Sequence, residues 1–256
     1  MSFFNDVRPL FLRLVRYTVR MPVFMVIGVV QSILWLVLFG QLFQRVVQIP
    51  GFEAESYLQF LAPGITIMTA LFGSAHSGMG TLIDIERGVM DRLLVTPASR
   101  GALMAARVLH AGALVVFQGA VILCASLAMG ARPGAGVVGV LVVLLAAGLL
   151  GCAFGALSNA IALIARRQET VLAAMNFIIL PLTFLSGIMM SAALMPAWIR
   201  RVAALNPANW AVVAARAGFE GSDWGAVGLN LVWLSLFALA CGWLATRAFD
   251  RYRRTI

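Results

Sequence analysis

The chain has 256 residues, 62% of them apolar, and its 19 basic residues, all arginine, outnumber 10 acidic ones to give a net charge of +9. A mean hydropathy of +0.96, with several apolar runs of about 20 residues, exceeds what a soluble core of this length needs and points to a polytopic membrane protein. With no lysine anywhere, the chain cannot build a Walker A phosphate loop or a pyridoxal Schiff base, so any ATP used must be bound by another protein.

Residues 2–20 open the chain as an amphipathic segment. Phe3, Phe4, Val7, Leu10, Phe11, Leu14 and Val15 share one helical face, and Asn5, Arg8, Arg13, Arg16 and Arg20 share the other. That pattern predicts a helix in the membrane interface, acting either as a plain anchor or as a lever contacting a cytoplasmic ATPase. Six apolar spans follow, over 22–44, 58–80, 102–129, 137–164, 171–190 and 226–248. The first lacks a small-residue cleavage site and reads as a retained span.

Between spans two and three lies Asp84-Ile-Glu-Arg-Gly-Val-Met-Asp-Arg-Leu-Leu-Val-Thr-Pro-Ala-Ser-Arg100, the most charged stretch of the chain. Leu82, Ile85, Val89 and Leu93 recur every three to four positions, which predicts one short surface helix stopped at Thr96-Pro97. Such a helix suits docking of a soluble partner. Span four is dense in small residues, with Gly151 and Gly155 as a Gly-x-x-x-Gly pair that lets another helix approach closely.

Spans two and five carry aromatic and thioether side chains, among them Phe60, Met68 and Phe72, then Asn176, Phe177, Phe184 and Met189. These stripes are either core, lipid-facing surface, or a path for bulky apolar ligands. The 191–225 loop is apolar and punctuated by Pro196, Trp198, Pro207, Trp210 and Trp224. It reads as short, partly re-entrant external helices or as a loop resting on lipid.

Arginine sets the orientation. With both termini inside, Arg8, Arg13, Arg16, Arg20, Arg87, Arg92, Arg100, Arg107, Arg166, Arg167, Arg247, Arg251, Arg253 and Arg254 fall on the cytoplasmic side, against Arg45, Arg132, Arg200, Arg201 and Arg216 outside. Topology and anionic lipid account for the positive charge, and no nucleic acid is expected. Intramembrane ionisable groups are few: His76, Arg107 and His110, with no carboxylate near a bilayer midplane, which speaks against proton or cation coupling. His76 is either a packing residue or a relay. Cys124, Cys152 and Cys241 sit in apolar spans without metal-binding spacing. No catalytic or metal motif is present.

Taken in order, three pieces resemble a known family: Glu86-Arg-Gly with Arg92-Leu-Leu-Val-Thr-Pro-Ala-Ser-Arg100, then Phe184-Leu-Ser-Gly-Ile-Met-Met190, then Pro196-Ala-Trp-Ile with Leu205-Asn-Pro207 and Arg216. They resemble the membrane permeases of type-2 ABC exporters, nearest the drug and lipid or lipo-oligosaccharide branch. The resemblance implies an all-α permease domain over 1–256: a connecting helix (1–21), a six-span bundle (22–250) and a basic tail (251–256). It implies a coupling helix using Glu86, Arg87, Asp91, Arg92 and Arg100. It implies a substrate pathway along Phe60, Met68, Phe72, Asn176, Phe177, Phe184 and Met189, and an external gate at Asn206 and Pro207. It further implies two ATPase subunits that bind ATP and magnesium, a second permease copy or close homologue, and no cofactor in this chain. The setting would be a bacterial inner membrane, and the function export of a bulky hydrophobic or amphiphilic compound. A polysaccharide or lipid-linked glycan permease of the same family is the alternative, ahead of a non-ABC carrier or scaffold.

Overall fold

The computed structural model describes residues 3–20, 23–43, 56–94, 100–190 and 194–253. Every regular element among them is an α-helix: α1 (Phe3–Arg20), α2 (Val23–Leu42), α3 (Tyr57–Ala75), α4 (Ser77–Glu86), α5 (Val89–Leu94), α6 (Arg100–Ala128), α7 (Gly136–Ala165), α8 (Gln168–Phe184), α9 (Ala197–Ala203), α10 (Pro207–Glu220) and α11 (Trp224–Arg253). Among the described residues, five stretches are long and apolar enough to cross a bilayer: α2, α3 continued into α4, α6, α7 and α11. The sixth expected span, α8, is apolar but has only 17 residues.

The bundle is layered. α3 and α7 form the middle, and α10 is inserted among α3, α7 and α11 with Ala208, Ala211, Val212, Ala214, Ala215 and Phe219 fully buried. α2 and α11 flank this core and turn rows such as Val26, Val30 and Leu34, or Leu229, Val232 and Leu236, outward. Such exposed apolar rows match a lipid solvent, where no hydrophobic force drives side chains inward.

The small residues of α7 do what their spacing predicts. A Cβ on Gly151 would sit 3.0 Å from Val115 Cβ, and one on Gly155 would sit 2.5 Å from Ala111 Cβ. α6 therefore lies against α7 with almost no side chain between them.

Two departures from the periodicity reading matter. Span two is not one rod, because its helix ends at Ala75 and restarts at Ser77 across His76. The charged segment is also split. Leu82 and Ile85 belong to the last turns of α4, whereas Val89 opens the separate six-residue α5. The reason is Gly88, whose φ of +63° is costly for residues with a Cβ and turns the chain between the two helices. Thr96-Pro97, the expected stop, lies outside the described residues.

Candidate functional site

α4 delivers its last turn to a surface. Glu86 and Arg87 are exposed, and so is Arg92 on α5, while Met90 between them is fully buried in the main core. A buried thioether thus pins a charged, outward-facing tip. The side chains of Asp91 and Arg100 lie outside the described residues.

Directly behind this tip runs a chain of polar contacts. Asp84 Oδ2 accepts from Arg107 Nη2 at 2.5 Å and from Arg13 Nη2 at 2.7 Å. Arg107 is only 4% exposed, and its Nη1 donates to Thr81 Oγ1 at 2.8 Å. Thr81 Oγ1 in turn donates to Asn159 Oδ1. Asn159 Nδ2 donates to Ser77 Oγ at 2.9 Å and to Gly155 O at 2.7 Å. Four elements, α1, α4, α6 and α7, are joined through side chains that apolar surroundings would otherwise penalise. Arg107 Nε is buried with no partner among the described residues.

The residue before Asn159 repairs the break at His76. An interrupted helix leaves a carbonyl and an amide without partners, which at membrane depth must be met by neighbouring protein. Ser158 of α7 does both, donating to Ala75 O at 2.5 Å and accepting from Gly78 N at 3.0 Å. Gly78 allows the approach, since a Cβ there would lie 2.4 Å from Ser158 O. His76 is exposed and its Nδ1 lies 3.0 Å from Phe72 O. His110 Nε2 lies 2.9 Å from Thr18 Oγ1, tying α1 to α6 a second time.

A second polar knot sits at the opposite end of the bundle. Asn206, 3% exposed, donates through Nδ2 to Leu182 O (2.8 Å) and Leu185 O (2.9 Å), and its Oδ1 caps α10 by accepting from Ala208 N (2.9 Å). Pro207 follows at the first helical position, where a missing N–H costs nothing. Asn209 Oδ1 accepts from Gly187 N at 3.0 Å, and Arg216 donates from Nη2 to Ile188 O at 2.7 Å and from Nε to Phe60 O at 3.2 Å. The Arg216 guanidinium also lies 3.5 Å from the centre of the Phe60 ring. Asn206 and Pro207 thus fasten the end of α8 to the start of α10.

The two aromatic stripes are placed differently. Phe60 and Met68 are buried and Phe72 is half-buried on the central helix, with Phe60 packed beside Leu36, Leu61, Ile65 and Ile122. On α8, Asn176 is exposed, Phe177 and Phe184 point outward at 80% and 72% exposure, and Met189 beyond it is half-buried. Within one chain Phe177 and Phe184 thus turn away from the core, while Met189 packs, with Phe72, against the cluster that holds Met68. Asp84 and Arg107 were legible only as charges near a span end. Their 23-residue separation carries no pairing signal, although Arg107 as the sixth residue of one span and a carboxylate just beyond the end of the neighbouring span put opposite charges near one membrane level.

An all-helical bundle with five membrane-length helices, a buried helical insertion and a charged tip is the architecture of a polytopic membrane permease. The sequence profile of the ABC-2 type transporter family matches residues 7–219, and the chain belongs to that family. It is 30% identical over 229 residues to the transport permease ycf38 of Pyropia yezoensis, covering 87% of this chain and 77% of that one. It is 27% identical over 201 residues to the daunorubicin resistance ABC transporter permease protein DrrB1 of Streptomyces coeruleorubidus, covering 78% and 70%. With the inner membrane transport permease YadH of Escherichia coli strain K12 it shares 27% identity over 227 residues, 86% of each chain.

Proposed function

We propose that this chain is the membrane-spanning half of an ATP-driven exporter that moves a bulky hydrophobic or amphiphilic compound (a drug-like molecule, lipid or glycolipid) out of the cytoplasm or inner leaflet. Hydrolysis belongs to a separate ATPase, two copies of which dock on a permease dimer. ATP and magnesium are held there and not in this chain. The observation that carries this reading is the exposed tip Glu86-Arg87 with Arg92, backed by the buried chain Asp84–Arg107–Thr81–Asn159. A surface that receives a push needs stiff connections into the helices that move, and ion pairs out of water supply them.

The spans number six in this reading, α8 being the short fifth, and both termini are cytoplasmic in a bacterial inner membrane. α1 lies in the inner interface. α9 and α10 form the external re-entrant pair. α10 has 14 residues, about 21 Å, and its C-terminal end meets the α6–α7 connection, where Ala135 N donates to Phe219 O at 3.3 Å. The cargo path runs between outward-facing Phe177 and Phe184 of α8 and their surroundings in the paired half. Because that face is aromatic and uncharged, an apolar cargo fits it better than a free glycan.

Glu86→Arg should leave the permease folded and inserted, since Glu86 is exposed. It should cut ATP-driven transport by about 10-fold or more, as like charges across a docking surface cost several kcal/mol. Transport by the reconstituted permease–ATPase complex measures it, and an unchanged rate removes Glu86 from the interface. Topology is checked separately. With the native cysteines replaced, Ser222→Cys should react with an impermeant thiol reagent on intact cells and Glu169→Cys only after permeabilisation. The reverse pattern inverts the orientation.

A further inference from the structure

A cleft of about 370 Å³ opens between α1, with Arg13, Leu14, Arg16, Tyr17 and Arg20, and α4, with Ile83 and Asp84. It belongs neither to the charged tip nor to the aromatic faces. We propose that this cleft binds the phosphodiester headgroup of an anionic bilayer lipid, with Arg16 and Arg20 on the phosphate and Leu14 and Ile83 against the start of the acyl chains.

The charge balance is the first reason. The cleft holds three guanidinium groups and one carboxylate. Asp84 is already shared between Arg13 and the buried Arg107, both on its Oδ2. One carboxylate already shared by two guanidinium groups cannot offset the charges of Arg16 and Arg20 as well; both are exposed and have no hydrogen-bonding or ionic partner among the described residues. A net positive recess with planar donors one helical turn apart is complementary to a tetrahedral oxyanion.

The second reason is the apolar surface that neighbours the cleft in the chain. Tyr17, which lines it, is 41% exposed; Val19 at the end of the same helix is 69% exposed, and Val23 and Val26 at the start of the next are 61% and 52% exposed. A free anion has no use for such an apolar apron, but a lipid does: headgroup in the cleft, chains along the start of α2. Tyr17 at the rim has the amphipathic ring favoured at headgroup level. The inference rests on α1 lying at the inner interface, and not on what cargo is exported.

Its consequence is positional. A lipid seated here touches the helix that carries Arg13 and the wall that carries Asp84, so it bears on the same ion pair that links α1 to the charged tip.

The test is direct binding to the full chain in neutral detergent, titrated with dioctanoyl phosphatidylglycerol, dioctanoyl phosphatidylcholine and inorganic phosphate. Phosphatidylglycerol should bind at least 10-fold tighter than phosphatidylcholine. Each of Arg16→Gln and Arg20→Gln should weaken it about 5-fold and the pair about 30-fold, the effect of losing one and two surface arginines facing an anionic headgroup. Arg8→Gln, on the same helix, exposed and outside the cleft, should change it less than 2-fold. An equal loss in Arg8→Gln would mean diffuse attraction to a basic helix and overturns the site. If inorganic phosphate displaces the lipid at similar concentration, the cleft takes the free anion and the lipid assignment fails. None of these measurements involves transport, so they can fail while the exporter reading stands, and the reverse.

Discussion

Asp84→Ala should destabilise the permease by about 3–5 kcal/mol, among the largest effects of any single substitution here, because it strands Arg107 in the bundle without its carboxylate. Arg107 is nearly inaccessible to water, and its remaining bond, to Thr81, has a neutral acceptor. Arg13 loses the same partner but is partly exposed and can be hydrated, so its share is minor. The observable is the thermal midpoint of the detergent-solubilised protein, expected to fall by roughly 10 °C. What separates a buried-charge penalty from generic damage is the double variant. Replacing both members by apolar residues of similar volume removes the stranded charge, so Asp84→Leu with Arg107→Met should recover most of the stability. If the double variant is as unstable as Asp84→Ala, the cost comes from lost packing or from Arg13, and the central place given to this pair is wrong. If stability recovers while ATP-driven transport does not, the ion pair is needed for transmitting the push from the tip, beyond holding the bundle together.

What the sequence could reveal divides along local and non-local lines. Hydropathy is a property of consecutive residues, so the spans at 22–44, 102–129 and 137–164 agree with α2, α6 and α7 to within two residues. The amphipathic opening likewise appears as α1, with Val7, Leu10 and Phe11 packed against Ala102 and Ala106. The close approach at Gly151 and Gly155 was readable because small residues four apart share a helical face. The break at His76 was not. Ser74-Ala75-His76-Ser77 contains no proline or glycine, and what makes the interruption tolerable is Ser158, more than 80 residues away. Asp84 shows the same gap. In a linear reading it belongs to a charged surface helix, yet its side chain turns inward because Arg13 and Arg107 come from α1 and α6. The aromatic stripes are left open by the sequence for a different reason. Periodicity says which residues share a face but not what that face meets, so Phe60 and Phe177 looked equivalent and one is inside the core while the other faces out. Local chemistry is legible; partners distant in sequence are not.

Asn206 sharpens that contrast, and its substitution carries the other large expected effect. The family resemblance implies a gate at Asn206 and Pro207; in the structure Asn206 makes three bonds to three backbone groups. Loss of the helix cap alone costs about 1 kcal/mol. The two carbonyls, Leu182 O and Leu185 O, would be left without this donor, each at roughly 1–3 kcal/mol if water cannot reach them. Asn206→Ala should therefore cost about 3–7 kcal/mol, lowering the thermal midpoint well beyond the shift of an ordinary cap variant. Asn206→Asp decides which half matters. Aspartate is as good an N-cap as asparagine and accepts equally well from Ala208 N. It has no amide to give to Leu182 O and Leu185 O, and its negative oxygen would face both carbonyl dipoles. If capping dominates, the Asp variant stays close to the parent. The geometry predicts the opposite: Asp should be at least as damaging as Ala, because it replaces two donated bonds by repulsion in a site that is 3% exposed. A stable Asp variant would show that the end of α8 is held by Asn209 and Arg216 alone, and would free Asn206 for the gating role that the family resemblance implies.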